Sequence, residues 1–233
     1  MNITLKPYQS RVLGSLRDFL HSCASGKALH NAFHEVLVAN DFPIFPYIPV
    51  VADGIGGAMP YACLRVPTGG GKTLLACHAA GIAKNDFLRA EQAVVLWLVP
   101  SQTILTQTAD ALRDPRHPYR RALETACAGP VEVLTIEEAL SVSRGVVEGG
   151  TVVIVATIQA FRAEDTIGRR VYAQNGCLAE HFLNLPANRS ADMLPGPDGK
   201  PLPSLVNLLR LRRPIVIVDE AHNARTELSF STL

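Results

Sequence analysis

The sequence predicts an α/β fold: a mainly parallel sheet with helices on both faces, preceded by a helical N-terminal extension. Three observations carry this. Ala93–Val99, Val152–Ala156 and Ile215–Val218 are continuous apolar runs rich in β-branched residues, the mark of strands buried on both faces. They alternate with segments of helical periodicity. A glycine cluster, Pro67-Thr-Gly-Gly-Gly-Lys-Thr73, lies where an apolar run gives way to such a segment.

Residues 7–40 read as helical, with Tyr8, Val12, Leu16, Phe19 and Leu20 at steps of three and four, and with a break at Ser25-Gly26. Prolines at 43, 46, 49 and 60 and glycines at 54, 56 and 57 make residues 41–60 an irregular connection. A short buried strand is then expected over Tyr61–Val66 and a helix over Lys72–Ala83. Ala93–Val99 is the second strand, followed by a helix over Gln102–Leu112. Val131–Thr135 is the third strand, with a short helix over Ile136–Ser143. Val152–Ala156 and Ile215–Asp219 complete the set. Between these last two strands, Leu185–Ser204 carries five prolines and reads as a surface excursion. The expected division is a helical segment over 1–60 and an α/β lobe over 61–233 with its proline-rich insertion at 185–204.

At 233 residues the chain is long enough to bury a full core, and 48% hydrophobic with 18% charged residues is an ordinary globular composition. The formal charge of +1 makes no global electrostatic case for nucleic acid. Cys23, Cys63, Cys77, Cys127 and Cys177 form no Cys-x-x-Cys pair and read as reduced thiols of a cytoplasmic protein. No basic flank precedes an apolar signal core, and no apolar run approaches the roughly 20 residues that span a bilayer. No membrane role is expected.

The glycine cluster has the chemistry of a phosphate cradle. Glycines let backbone N–H groups close on phosphate oxygens, and the helix that follows aims its positive end at them. Thr68, Gly69, Gly70 and Gly71 would form the cradle, Lys72 would reach the β- and γ-phosphates, and the Thr73 hydroxyl would coordinate Mg²⁺. The strict pattern asks for glycine six residues before the lysine, where this chain has Val66. A glycine-rich turn with an incidental lysine is the plainer alternative.

The second feature is Asp219-Glu220-Ala221-His222, closing the run Pro214–Val218. Two acids at the carboxyl end of a buried strand stand where open α/β sheets bind ligands. Asp219 would serve Mg²⁺, Glu220 would activate water, and His222 would sense the γ-phosphate. A solvated strand end accounts for acids there, but not for their company with Lys72.

Together, Val66-Pro-Thr-Gly-Gly-Gly-Lys-Thr and Val218-Asp-Glu-Ala-His resemble motifs I and II of the superfamily 2 helicases and translocases, close to their DEAH-type members. The resemblance accommodates Val66, because motif I of that family commonly begins with a small residue. It also makes Leu5-Lys-Pro-Tyr-Gln9 similar to the adenine-reading segment, with Gln9 as partner of the base. Leu98–Leu105 resembles motif Ia, and Val155–Phe161 the following strand-end motif; both contact the nucleic-acid backbone in relatives. Asp219–Phe230 resembles the Res subunit of type III restriction enzymes.

The resemblance implies a RecA-like P-loop NTPase lobe of an ATP-dependent DNA helicase or translocase, using ATP and Mg²⁺. Duplex DNA, a second motor lobe and a methyltransferase (modification) subunit are the partners it implies. No Ser/Thr-Ala-Thr motif III, second lobe or nuclease signature follows the acidic residues before Leu233. The expectation is therefore one lobe of a two-lobed motor, gripping nucleotide weakly and turning over little ATP. An arginine supplied from elsewhere is worth roughly 10³–10⁵ in phosphoryl-transfer rate. Two other classes fit the same residues: a non-motor P-loop ATPase or kinase, and an interaction module with a vestigial site.

Other features are assigned to structure. His30 and His34 have metal-compatible spacing but no third ligand nearby, so a solvated helix face is expected. Cys77, His78 and Trp97 read as packing residues. Arg116-His-Pro-Tyr-Arg-Arg121 reads as a solvated basic loop, with a DNA-facing patch as the alternative.

Overall fold

The computed structural model describes residues 4–51, 58–161, 166–185, 187–190 and 192–219. Helices α1 (Pro7–Ala24) and α2 (Leu29–Ala39) precede a two-residue antiparallel ribbon of β1 (Val50–Val51) and β2 (Ala58–Met59). Helix α3 (Lys72–Ile82) runs into a π-helical turn at Ala83–Leu88, then β3 (Ala93–Val99), α4 (Gln102–Arg113), α5 (Pro118–Cys127) and β4 (Val131–Thr135). Short helices α6 (Ile136–Ala139) and α7 (Arg144–Glu148) lead to β5 (Thr151–Thr157). After a 3₁₀ turn come α8 (Thr166–Tyr172), a second 3₁₀ segment (Gly176–Phe182), α9 (Ala187–Ser190), α10 (Leu205–Arg212) and β6 (Ile215–Val218).

Four strands form a parallel sheet in the order β4-β5-β3-β6, with Trp97 opposite Val155 on one side and Ile217 on the other. Every residue of β3 is buried. Alternation sorts its side chains: Val95, Trp97 and Val99 pack under α3, α4 and α5, while Val94, Leu96 and Leu98 pack under α6, α7 and α10. A parallel sheet covered on both faces, with a helical N-terminal extension, is the architecture the apolar runs predict.

A third cluster ties the extension to the lobe. Leu13, Leu16, Phe19 and Leu20 of α1 and Ala32 of α2 pack with Leu75 and Ile82 of α3. Phe19, Phe33, Phe45 and Tyr47 form a chain of ring contacts around it. Helix α3 therefore serves two cores at once.

Several elements differ from the sequence expectation. Tyr61–Val66 is not a strand of this sheet. Leu64 and Val66 pack against the α1–α3 cluster instead, and the Tyr61 N–H donates to Tyr47 Oη at 2.8 Å. Ala62, Cys63 and Arg65 stay exposed, which spares the cost of burying Arg65 in a strand centre. Of the basic stretch 116–121, only Arg116 and His117 lie in a loop. Pro118 opens α5, and His117 Nδ1 accepts from the Tyr119 N–H at 3.2 Å as its cap. The helix expected over Ile136–Ser143 ends at Ala139, and Ser143 begins α7 by accepting from Val146 N–H.

The proline-rich excursion is anchored more firmly than its composition suggests. Asn207, fully buried, accepts from Leu194 N–H and donates to the carbonyls of Leu194 and Leu202, all at 2.8 Å. Met193 is buried with it.

Candidate nucleotide site

The strands are parallel, so their carboxyl ends share one end of the sheet, and the loop entering α3 belongs to a helix packed on β6. Ala76 and Cys77 of α3 join the cluster that includes Ile215 and Ile217 of β6. Asp219 follows β6 directly, its N–H donating to Leu98 O at 2.8 Å as a continuation of the ladder. Glu220 and His222 lie outside the described residues.

The glycines of the loop have separate reasons to be glycine. Gly69 and Gly71 take φ of 74° and 78°, which L side chains rarely adopt. Gly70 has an ordinary φ, but a Cβ there would sit 2.7 Å from Pro67 O. Its N–H donates to that same oxygen at 2.9 Å, closing a tight turn. Thr68 is exposed, and Lys72 and Thr73 are half-buried in the first turn of α3. Gly71 caps that helix without a side-chain acceptor, and its carbonyl takes the Leu75 N–H at 2.9 Å. A helix start of this kind offers backbone N–H groups to an anion, and the positive φ of Gly69 and Gly71 suits a loop whose N–H groups converge. The residues present thus fit a nucleotide triphosphate with its magnesium.

Gln9 is brought to this loop. It is buried, its Nε2 donates to Gly70 O at 2.9 Å, and its Oε1 accepts from Lys6 N–H at 2.9 Å. Tyr8 does the same from the neighbouring position, with Oη donating to Gly70 O at 2.9 Å. The sequence placed Tyr8 on a helical stripe and within Leu5–Gln9, with no contact to the glycine loop foreseen. The sole signal available was its place beside Gln9 at the start of a helix.

The remaining features have the following places in the fold. Cys77 is fully buried in α3, and burial, with Cys127 as a neighbour, pushes its thiol well above the usual range. His78 is half-buried and its pKa is lowered by that burial. It lines a cavity of about 280 Å³ between α1 and α3, whose walls also carry the Arg17–Asp86 ion pair. His30 and His34 lie exposed on α2. Within the basic stretch, Arg120 is committed to the fold: it donates to Glu124 and to the carbonyls of Leu112 and Val131.

A parallel sheet carrying a glycine loop at a helix start and an acid at the end of the strand beneath it defines a RecA-like P-loop NTPase domain. The family model for the type III restriction enzyme, res subunit, matches residues 2–232. The chain belongs to that family and is an N-terminal, ATP-binding motor domain of the superfamily 2 helicase type. No curated protein and no solved structure matches it. Among the described residues, no helix is long and apolar enough to cross a membrane.

Proposed function

We propose that this lobe grips ATP and Mg²⁺ for an ATP-dependent DNA translocase of the res-subunit type, working on duplex DNA. The observation that carries the reading is the loop at the head of α3: three glycines, each needed by its own geometry, lead into Lys72 and Thr73 on a helix packed over the strand that ends in Asp219. Backbone N–H groups of Thr68–Gly71 and the start of α3 hold the phosphates, and Lys72 balances charge on the β- and γ-phosphates. Thr73 and Asp219 would hold the magnesium ion, which would neutralise charge developing on the phosphate oxygens. Glu220 takes the proton of the attacking water, and His222 relays the state of the γ-phosphate. Gln9 reads adenine with the N–H of its amide that Gly70 does not use. The strand-end segments after β3 and β5 face the nucleic-acid backbone. The belonging of the chain to the res-subunit family supports DNA as a partner; a second motor lobe and a modification subunit complete the proposed assembly. Its scattered thiols suit a cytoplasmic setting.

ATP hydrolysis by the wild-type chain and by Glu220→Gln, with and without duplex DNA, tests this. Glu220→Gln should retain ATP binding and lose the hydrolysis that wild type shows. Equal turnover in the two proteins would remove Glu220 from the reaction. Transfer of phosphate to a small metabolite would favour a kinase instead.

A further inference from the structure

We infer that Tyr8 is a positioning residue of the phosphate site, acting on the direction of one backbone N–H through the carbonyl of Gly70. The inference rests on reading the glycine loop as a triphosphate cradle.

Two side chains from the first turn of α1 converge on a single acceptor. Tyr8 Oη and Gln9 Nε2 both donate to Gly70 O, each at 2.9 Å. A carbonyl oxygen has two lone pairs, so this one is saturated. Gly70 O and the Gly71 N–H belong to the same peptide unit. No described peptide bond is cis, so the two groups point in opposite directions across a rigid plane. Drawing the oxygen towards α1 therefore aims the Gly71 N–H away from α1, the side on which the cradle reading puts the phosphates. Gly71 directly precedes Lys72, and its own αL conformation (φ 78°) starts the helix. Without the clamp, both glycines would be free to turn that peptide over.

The division of labour between the two donors is also visible. Gln9 is buried and tied back to Lys6 N–H through its Oε1. Tyr8 is half-buried, and its hydroxyl donates to Gly70 O. With that hydroxyl committed to Gly70 O, the ring carries no further polar group to read a base edge. The contribution of Tyr8 should therefore depend on the phosphate chain alone and be blind to the base.

The test is the binding of ATP, GTP and inorganic tripolyphosphate to the wild-type chain, Tyr8→Phe and Lys72→Ala, by competition against a fluorescent ATP analogue. Tyr8→Phe keeps the ring and removes only the hydroxyl, and an unchanged melting temperature verifies its fold. Loss of one ordinary hydrogen bond's worth of preorganisation predicts weakening of roughly three- to tenfold. The factor should be the same for all three ligands, leaving the ATP-to-GTP ratio unchanged. If Lys72→Ala weakens binding and Tyr8→Phe does not, or if Tyr8→Phe shifts the ATP-to-GTP ratio, the inference is wrong while the cradle stands. If Lys72→Ala binds all three as wild type does, the cradle reading fails and takes the inference with it.

Discussion

At the scale of single residues, glycine positions carry the sharpest expectations. A methyl group at Gly70 would stand 2.7 Å from Pro67 O, and one at Gly71 would stand 2.7 Å from Gln9 Nε2 on a backbone held at positive φ. Gly70→Ala and Gly71→Ala should each weaken ATP binding while leaving the sheet intact, as far-ultraviolet circular dichroism will verify. Gly81 is a different case, because its missing side chain lets α3 approach α5. A Cβ there would lie 2.4 Å from Ala126 O. Gly81→Ala should cost about 1–3 kcal/mol through overpacking, read as a lower urea midpoint.

Titration adds a second expectation at this scale. His78 stays neutral in the fold to lower pH than its ordinary 6.5, because burial disfavours the imidazolium. As pH falls below about 6.5, the unfolded chain takes up the proton first, so stability falls. The thiols of Cys77 and Cys127 are pushed up by burial, so above their ordinary 9.0 the unfolded chain releases protons first and stability falls again. Urea midpoints between pH 5 and 10 should therefore peak in the middle. His78→Gln should flatten the acid limb and leave the alkaline one.

At the scale of elements, the β4 edge of the sheet is guarded. The outer carbonyls of β4 are occupied: Arg113 Nε donates to Val133 O at 3.1 Å, and Arg120 Nη2 donates to Val131 O at 2.7 Å. Guanidinium groups on an edge strand block pairing with another chain. Replacing both arginines with alanine should promote self-association, measured by light scattering at rising concentration; unchanged monomer content would contradict this role. These two arginines also show where sequence reading stops. Val131–Thr135 and Ala93–Val99 were legible to the residue, because short segments rich in β-branched residues favour a strand. Arg120 was not, because a basic stretch looks the same whether its charges meet solvent or carbonyls. The segment Tyr61–Val66 has a strand's composition, yet the α1–α3 cluster offered Leu64 and Val66 a better apolar surface. The glycine loop was legible from spacing, whereas the convergence of Tyr8 and Gln9 on Gly70 bridges 62 and 61 positions of sequence and depends on how α1 docks.

For the molecule as a whole, α3 is the shared member. Its Leu75 and Ile82 belong to the N-terminal cluster, while Cys77 and Ala80 belong to the cluster under the sheet. The phosphate loop opens this helix and is clamped by α1, so nucleotide should tighten both parts together. Hydrogen exchange with and without Mg²⁺ and ATP should show new protection in the first turn of α1 as well as in the loop. Protection confined to the loop would mean that the clamp does not transmit.

The most direct test of the nucleotide-gripping role is calorimetric titration of Mg²⁺–ATP into the wild-type chain and Lys72→Ala. Loss of a charge-assisted contact to phosphate predicts an affinity lower by roughly tenfold or more in the variant, with the melting temperature unchanged. Equal affinity in the two proteins, or no binding to either, would contradict the account.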